Sequence, residues 1–221
     1  MTAGTQNQAR IIAVVGKSGS GKGLCVKGEL IAPWRGPILV WSPLESTDNY
    51  VDVVKGVLCT SIERVVSAIR ARHKRIVFEP GLNVPAGMNP EAWLKTQFDR
   101  FCRIAWELSG WMIVVEELSR VTKASWSPAA WKNLCTAGRH RGLTVIGTCQ
   151  RPAQVDKDFF GNCSEIRCYK VGFIVDAKAM ADVMFCEFRE ILALQRLHYI
   201  HRQVDDNINT KGVAKIPKSK K

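Results

Sequence analysis

The chain has no uninterrupted apolar run approaching the roughly 18 residues that a membrane-crossing helix needs, and its opening MTAGTQNQAR lacks an apolar signal core. Both absences predict a chain without a membrane span or secretory leader. Paired cysteine motifs are missing too. Cys25, Cys59, Cys102, Cys135, Cys149, Cys163, Cys168 and Cys186 are scattered, show no C-x-x-C spacing and sit mostly in apolar runs, which predicts reduced thiols in a cytosol-like compartment. His198 and His201 stand without a cysteine or carboxylate cluster at zinc-ligand spacing, so no zinc site is expected. Acidic residues are in short supply, 20 against 32 Lys and Arg, and the resulting +12 favours a polyanionic partner, nucleic acid or a membrane surface. No internal repeat or linker divides the 221 residues, and 46% hydrophobic content supplies one core.

What is present is an alternation of short apolar runs and helical patterns. Ile11 to Val15 reads as a strand, followed by a glycine-rich turn and a helix from Lys22 to Ile31. Ile38 to Trp41 and Ile76 to Phe78 read as buried strands, and Ile62, Val65, Val66 and Ile69, capped by Ser61, read as the helix between them. Asn89-Pro90 opens a long helix that ends by Gly110; Trp111 to Val115 is a strand, and Ser127-Pro128 precedes another helix. Leu143 to Gly147 and Ile166 to Val171 are strands, Asp176 to Phe185 a helix, and Leu197 to Ile200 a last strand. Beyond it, Gln203 to Lys221 is polar and lysine-rich, and a mobile tail is expected there. Strands alternating with helices predict an α/β fold, a mainly parallel sheet with helices on both faces and ligands at the carboxyl ends of its strands. Trp93, Trp106, Trp111 and Trp131 fall on apolar faces and are expected in the core.

The chemistry is concentrated in three segments. GKSGSGKG, Gly16 to Gly23, matches G-x-x-x-x-G-K between a strand and a helix, the context in which backbone N–H groups of Gly16, Lys17, Ser18, Gly19, Ser20 and Gly21 cradle phosphate. Lys22 reaches the outer phosphates, and Gly23 and Leu24 open the helix. Gly23 replaces the Ser or Thr whose hydroxyl normally ligates Mg2+; water, Ser20 or a downstream carboxylate are candidate substitutes. MIVVEE puts Glu116 and Glu117 at a strand's carboxyl end. There Glu116 is a candidate to hold Mg2+ through water and Glu117 to orient or deprotonate an attacking water. LTVIGTCQRP ends a third strand with Gln150, whose amide is placed to reach a γ-phosphate.

These motifs, with GRHRG ahead of the third strand and the trailing SEIRCYKVGFIVDAKAMADVM, resemble the FtsK–HerA superfamily of DNA-pumping P-loop ATPases of RecA-like ASCE type. The compact viral branch, the genome-packaging ATPases of tectivirus-like internal-membrane phages, is the nearest in form, and the likeness runs from about Ile11 to about Arg202. The resemblance implies ATP as substrate, Lys22 as the phosphate-binding lysine, Glu116 as metal-side acid, Glu117 as catalytic base and Gln150 as γ-phosphate sensor. Two positions depart: the superfamily usually has Ser or Thr at Gly23 and commonly Asp at Glu116.

It further implies a homo-oligomeric ring, commonly a hexamer, with an arginine supplied in trans; Arg139 and Arg141 are the candidates. Double-stranded DNA is the implied partner, with Arg120, Lys123 and Trp126, just after the carboxylate pair, as candidate contacts. The run Arg70 to Arg75 and Lys211, Lys215, Lys218, Lys220 and Lys221 are candidates for further phosphate contacts. Capsid-vertex or portal-type proteins, and a location in the virion's packaging vertex and host cytoplasm, follow from the same likeness. The expected division is an N-terminal segment, 1–10, an ATPase domain, 11–202, and a basic tail, 203–221. Two other readings remain open: an assembly or secretion ATPase of filamentous-phage type acting on protein at a membrane, and a P-loop kinase of small molecules.

Overall fold

Residues 10–216 are described by the computed structural model of the chain. The expected N-terminal segment, apart from Arg10, and Lys218, Lys220 and Lys221 of the tail lie outside them. The chain runs β1 (Ile11–Val15), α1 (Lys22–Leu24, continued by a π-helical stretch Cys25–Ile31), β2 (Ile38–Trp41), α2 (Glu45–Asp48), α3 (Tyr50–Val54), β3 (Val57–Cys59), α4 (Ile62–Arg70) and β4 (Arg75–Phe78). It continues with α5 (Pro90–Trp106), β5 (Met112–Val115), α6 (Ala129–Ala137), β6 (Thr144–Cys149), α7 (Lys157–Gly161) and β7 (Glu165–Tyr169). Last come α8 (Ile174–Met184), α9 (Phe188–Ala193), β8 (His198–Gln203) and β9 (Ile208–Val213).

Nine strands form one sheet in the order β3-β4-β2-β5-β6-β1-β7-β8-β9. The first seven of that order are mutually parallel, and β8 and β9 are antiparallel additions on the β7 side. β1, IIAVV, is buried at every position, as a strand covered on both faces must be. Its odd positions, Ile11, Ala13 and Val15, face the larger core, together with Trp41, Phe78, Phe98, Phe101 and Trp131. Ile12 and Val14 face the smaller one, against Cys25, Val26 and Ile31 of the first helix and Tyr50 and Val54 of α3. Trp41 is the hub of the aromatic packing, with Phe78, Phe98 and Phe101 edge-on at 5.6, 5.1 and 5.5 Å, the geometry that ring quadrupoles favour. The helix caps read from sequence are in place: Ser61 Oγ accepts the Arg64 N–H, and Asn89 Oδ1 accepts those of Glu91 and Ala92.

The tail differs from expectation over 208–213, where β9 pairs with β8 from Ile208↔Gln203 to Val213↔His198. Polarity misled because an edge strand has little apolar face to bury. The turn is made by Asp205-Asp206-Asn207, with Asn207 left-handed at φ 54, a conformation Asn tolerates. Gly212 allows the close approach of Tyr199, whose Cζ would lie 2.5 Å from any Cβ there. Short β3 and the small helices α2, α3 and α9 also escaped the sequence reading, being too brief to show a period. No helix among the described residues is long and apolar enough to cross a membrane.

Candidate active site

The loop between β1 and α1 rises from the middle of the sheet. Gly16 has φ +154 and Gly21 φ +119, and a Cβ on Gly16 would lie 2.6 Å from Tyr169 Cβ and 2.7 Å from Ser20 Oγ. The glycines are therefore required by packing as well as by backbone conformation. Lys22 Nζ donates to Gly16 O at 2.6 Å and Lys17 O at 3.3 Å, which draws the ammonium back over the loop. Burial pushes that ammonium below its usual pKa range, while Glu117 and Glu116 pull it the other way.

β5 and β6 lie next to one another, with Val115 opposite Gly147, so the residues after β5 meet the carboxyl end of β6. Thr148 Oγ1 donates to Glu116 Oε2 and accepts the Glu117 N–H at 3.2 Å. Tyr50 Oη donates to the other Glu116 oxygen. Burial raises the Glu116 carboxyl above its usual range, against the lowering effect of those two hydroxyls. Glu117 takes a left-handed conformation, φ 55 and ψ 56, which costs a non-glycine residue about 1–2 kcal/mol. It is held there by Thr148 and by Gln150 Nε2, which donates to Glu117 Oε1 at 2.8 Å.

Loop, carboxylates and amide converge on one cleft of about 400 Å3, whose lining includes Ser18, Gly19, Gly21, Lys22, Gly23, Leu24, Glu116, Glu117 and Gln150. Gly16, Lys17 and Ser20 are not among the lining residues. Ser20 is buried with its Oγ unpartnered and close to Gly16. Lys27, Asp48, Arg196 and Leu197 complete the lining; none was singled out from sequence, nor were Tyr50 and Thr148. Only Thr148 carried a signal, since it stands at the carboxyl end of β6, two residues before Gln150. The lining holds three acids, Asp48, Glu116 and Glu117, against three bases, Lys22, Lys27 and Arg196.

The remaining candidates lie elsewhere. Arg139 and Arg141 precede β6, at the opposite end of the sheet from the cleft, and six residues of strand separate the ends by about 20 Å. Arg141 lies over the Trp106 ring at 4.9 Å and donates to the Trp106 carbonyl, whereas Arg139 is exposed and makes no ion pair among the described residues. Arg120, Lys123 and Trp126 are all exposed, on the segment that leaves the cleft after Glu117. Reciprocal backbone hydrogen bonds between Lys123 and Trp126, at 2.7 and 2.9 Å, close it into a tight turn. Of the four candidate core tryptophans, Trp131 is fully buried, Trp106 and Trp111 are partly buried against the core, and Trp93 donates to Pro80 O at 2.9 Å.

A parallel α/β sheet with a phosphate loop after β1 and carboxylates at the end of β5 defines a P-loop NTPase fold. No protein-family model matches the sequence. Among solved structures, the genome packaging NTPase B204 from Sulfolobus turreted icosahedral virus 2, in complex with AMP, is similar with a TM-score of 0.72 and 16% identity, over 95% of this chain and 100% of that one. VirB4 of Thermoanaerobacter pseudethanolicus has a TM-score of 0.72 at 11% identity, over 98% and 92% of the two chains. In sequence, Protein P9 of Pseudoalteromonas phage PM2 is 25% identical over 191 residues, 83% of this chain and 79% of that protein. The likeness to viral packaging NTPases expected from the motifs is thus met in fold.

Proposed function

We propose that the chain is an ATPase that drives translocation of double-stranded DNA, and that its task is packaging of a viral genome into a preformed capsid. The observation that carries this reading is the convergence of Lys22, Glu116, Glu117 and Gln150 on a single cleft beneath the glycine loop. Loop N–H groups and the first turn of α1 receive the phosphates. The Lys22 ammonium moves from the loop carbonyls to the outer phosphates, where it neutralises charge that develops in the transition state. Glu117, oriented by Gln150, accepts a proton from the attacking water, and the Gln150 amide registers the terminal phosphate.

Mg2+ fits this donor set. Asp48, Glu116 and Glu117 line one cleft with the glycine loop, and an Mg2+ ion is commonly held by one or two carboxylates together with phosphates and water. Glu116, with Asp48 at the same cleft, would hold it; when bound with nucleotide it supplies positive charge to the phosphate oxygens.

The exposed turn bearing Arg120, Lys123 and Trp126 starts directly from the strained Glu117, so a shift of Glu117 on phosphate release is passed to it. We assign the DNA contact to that turn. A ring, hexameric by the family resemblance, brings Arg139 of one subunit towards the cleft of the next. Arg139 is favoured over Arg141, whose guanidinium is already engaged by Trp106. Capsid-vertex or portal proteins would be the further partners, at the virion's packaging vertex or in host cytoplasm.

The test is ATP turnover against protein concentration, with and without duplex DNA. Turnover should rise more than linearly with concentration and be stimulated by DNA; Lys22→Ala and Glu117→Gln should abolish it. Hydrolysis without DNA binding at low salt would end the translocase reading. Cosedimentation with anionic vesicles in the same circumstances would favour the secretion-type alternative, and turnover only with a small phosphate acceptor would favour a kinase.

A further inference from the structure

We propose that Arg196 is a nucleotide-binding residue, supplied by the same chain, that grips the nucleoside and α-phosphate end of the bound nucleotide. The inference rests on the nucleotide reading of the cleft and adds the residue that reads the part of the ligand the motifs leave unattended. Its first support is placement. Arg196 and Leu197, in the turn between α9 and β8, form one wall of the cleft. The sheet order β5-β6-β1-β7-β8 puts Glu117 and Gln150 on one side of the phosphate loop and this turn on the other. A triphosphate whose terminal group faces Glu117 and Gln150 therefore lays its opposite end toward Arg196.

The second support is that the turn is fastened to the loop itself. The Leu197 N–H donates to Ser20 O at 3.0 Å, and Leu197 O accepts the Ala214 N–H at 2.9 Å. Gly21 packs so closely against it that a Cβ there would lie 3.2 Å from Leu197 Cδ2 and 3.0 Å from Tyr169 Cε1. Leu197 is left-handed, φ 68, a strained conformation of the kind found where a ligand clamp is over-determined by its surroundings. The backbone of Arg196 is therefore fixed relative to the phosphate loop by its neighbour.

The third support is the state of the side chain. Arg196 is exposed and makes no ion pair among the described residues, whereas Arg10, Arg151 and Arg167 are each matched to a carboxylate within 3.0 Å. A free guanidinium at a cleft mouth offers both hydrogen bonds to a phosphate oxygen and a flat face for a nucleobase. A residue acting at this end contributes equally to substrate and transition state, so its loss raises KM and leaves kcat alone.

The experiment compares binding of AMP, ADP and ATP to the full chain and to Arg196→Ala by calorimetry, with ATP turnover measured on the same samples. The expected result is a similar weakening of all three nucleotides, about ten-fold, with KM raised by the same factor and kcat within about two-fold; Arg196→Lys recovers part of the affinity. Weakening of ATP alone with a fall in kcat would overturn the assignment and place Arg196 on the terminal phosphate. Unchanged affinity for every nucleotide would also overturn it. Arg196 is exposed, so the variant should melt with the parent. If the unmodified chain binds no nucleotide, the nucleotide reading of the cleft fails first, and that outcome is distinct from a parent that binds and a variant that binds equally well.

Discussion

Replacing Thr148 by Val should uncouple the two cleft carboxylates without opening a cavity, because the side chains differ mainly by a hydroxyl for a methyl. Thr148 is fully buried; its Oγ1 donates to Glu116 and receives the Glu117 N–H at 3.2 Å. The substitution removes a bond to a buried carboxylate and leaves a backbone donor without its partner. Together these should cost roughly 2–4 kcal/mol. The loss should depend on pH in a definite sense. Glu116 has its carboxyl raised above the usual 4.5 by burial, with Thr148 and Tyr50 opposing. A folded pKa above the unfolded one means that the native state holds the extra proton, so stability falls as pH rises through that window. Losing a donor raises the folded pKa further and deepens the fall. Urea unfolding at about pH 5 and about pH 8 should therefore show a larger deficit for Thr148→Val at the higher pH. Thr148→Ser, which keeps the hydroxyl, should recover most of it. A deficit independent of pH, or Thr148→Ser as damaged as Thr148→Val, would refute the assignment of Thr148 as the carboxylates' shared partner.

Gly147→Ala should destabilise by about 1–3 kcal/mol in thermal unfolding, because its Cβ would lie 2.5 Å from Phe159 Cζ and 2.6 Å from Leu118 Cδ1. At Gly23 the opposite holds: an added Cβ meets nothing within 4 Å, so Gly23→Ser should leave stability within about 0.5 kcal/mol and lower the Mg2+ concentration at which ATP turnover is half-maximal. Glu165 is held at about 2 although its burial alone would raise it, through His201, Arg167 and Arg10. Its folded pKa lies below the unfolded one, so its contribution is present above the unfolded value and lost as pH falls towards about 2. Glu165→Gln should cost about 1–3 kcal/mol near neutral pH, and the difference from the parent should shrink as pH falls through that range. Asp176 is fully buried and receives Arg151 Nε at 2.7 Å and the Ala153 N–H at 3.1 Å. Asp176→Ala should cost about 1–3 kcal/mol, because it leaves the Ala153 N–H unpaired and frees Arg151, which is a third exposed; Asp176→Asn, whose single amide oxygen can serve only one of the two donors, should recover only part of that loss when the two are compared by denaturant unfolding.

The parallel core of the sheet was legible because its strands are nearly continuous apolar runs closed by Gly or Pro, and because α4 and α5 carry both a period and a cap. β9 was not: INTKGV has no apolar face to report, and its pairing with β8 is set by backbone bonds and by the room Gly212 leaves for Tyr199. The phosphate loop was legible for a different reason. Wrapping backbone N–H groups around an anion requires glycine at set positions, so the chemistry itself writes a local pattern.

The other half of the cleft writes none. Asp48 and Tyr50 belong to α2 and α3; Tyr50 reaches Glu116, and Asp48 the same cleft, because β2 lies beside β5, with Trp41 opposite Val115, so that segments leaving the two carboxyl ends share one space. Arg196 lines the cleft because β8 returns beside β7 and Leu197 is tied to Ser20. These contacts span 66 residues between Tyr50 and Glu116 and require only a hydroxyl, a carboxylate or a guanidinium at the right place in the sheet order, with no constraint on neighbouring residues. A group that needs a backbone conformation marks its surroundings in sequence, whereas one that needs only a neighbouring strand becomes visible when the strand order is known. It follows that the Arg196 and Asp48 sides of the cleft, shaped by strand order, are where relatives sharing this fold should differ most in residue type, while the loop and the β5 acids stay recognisable.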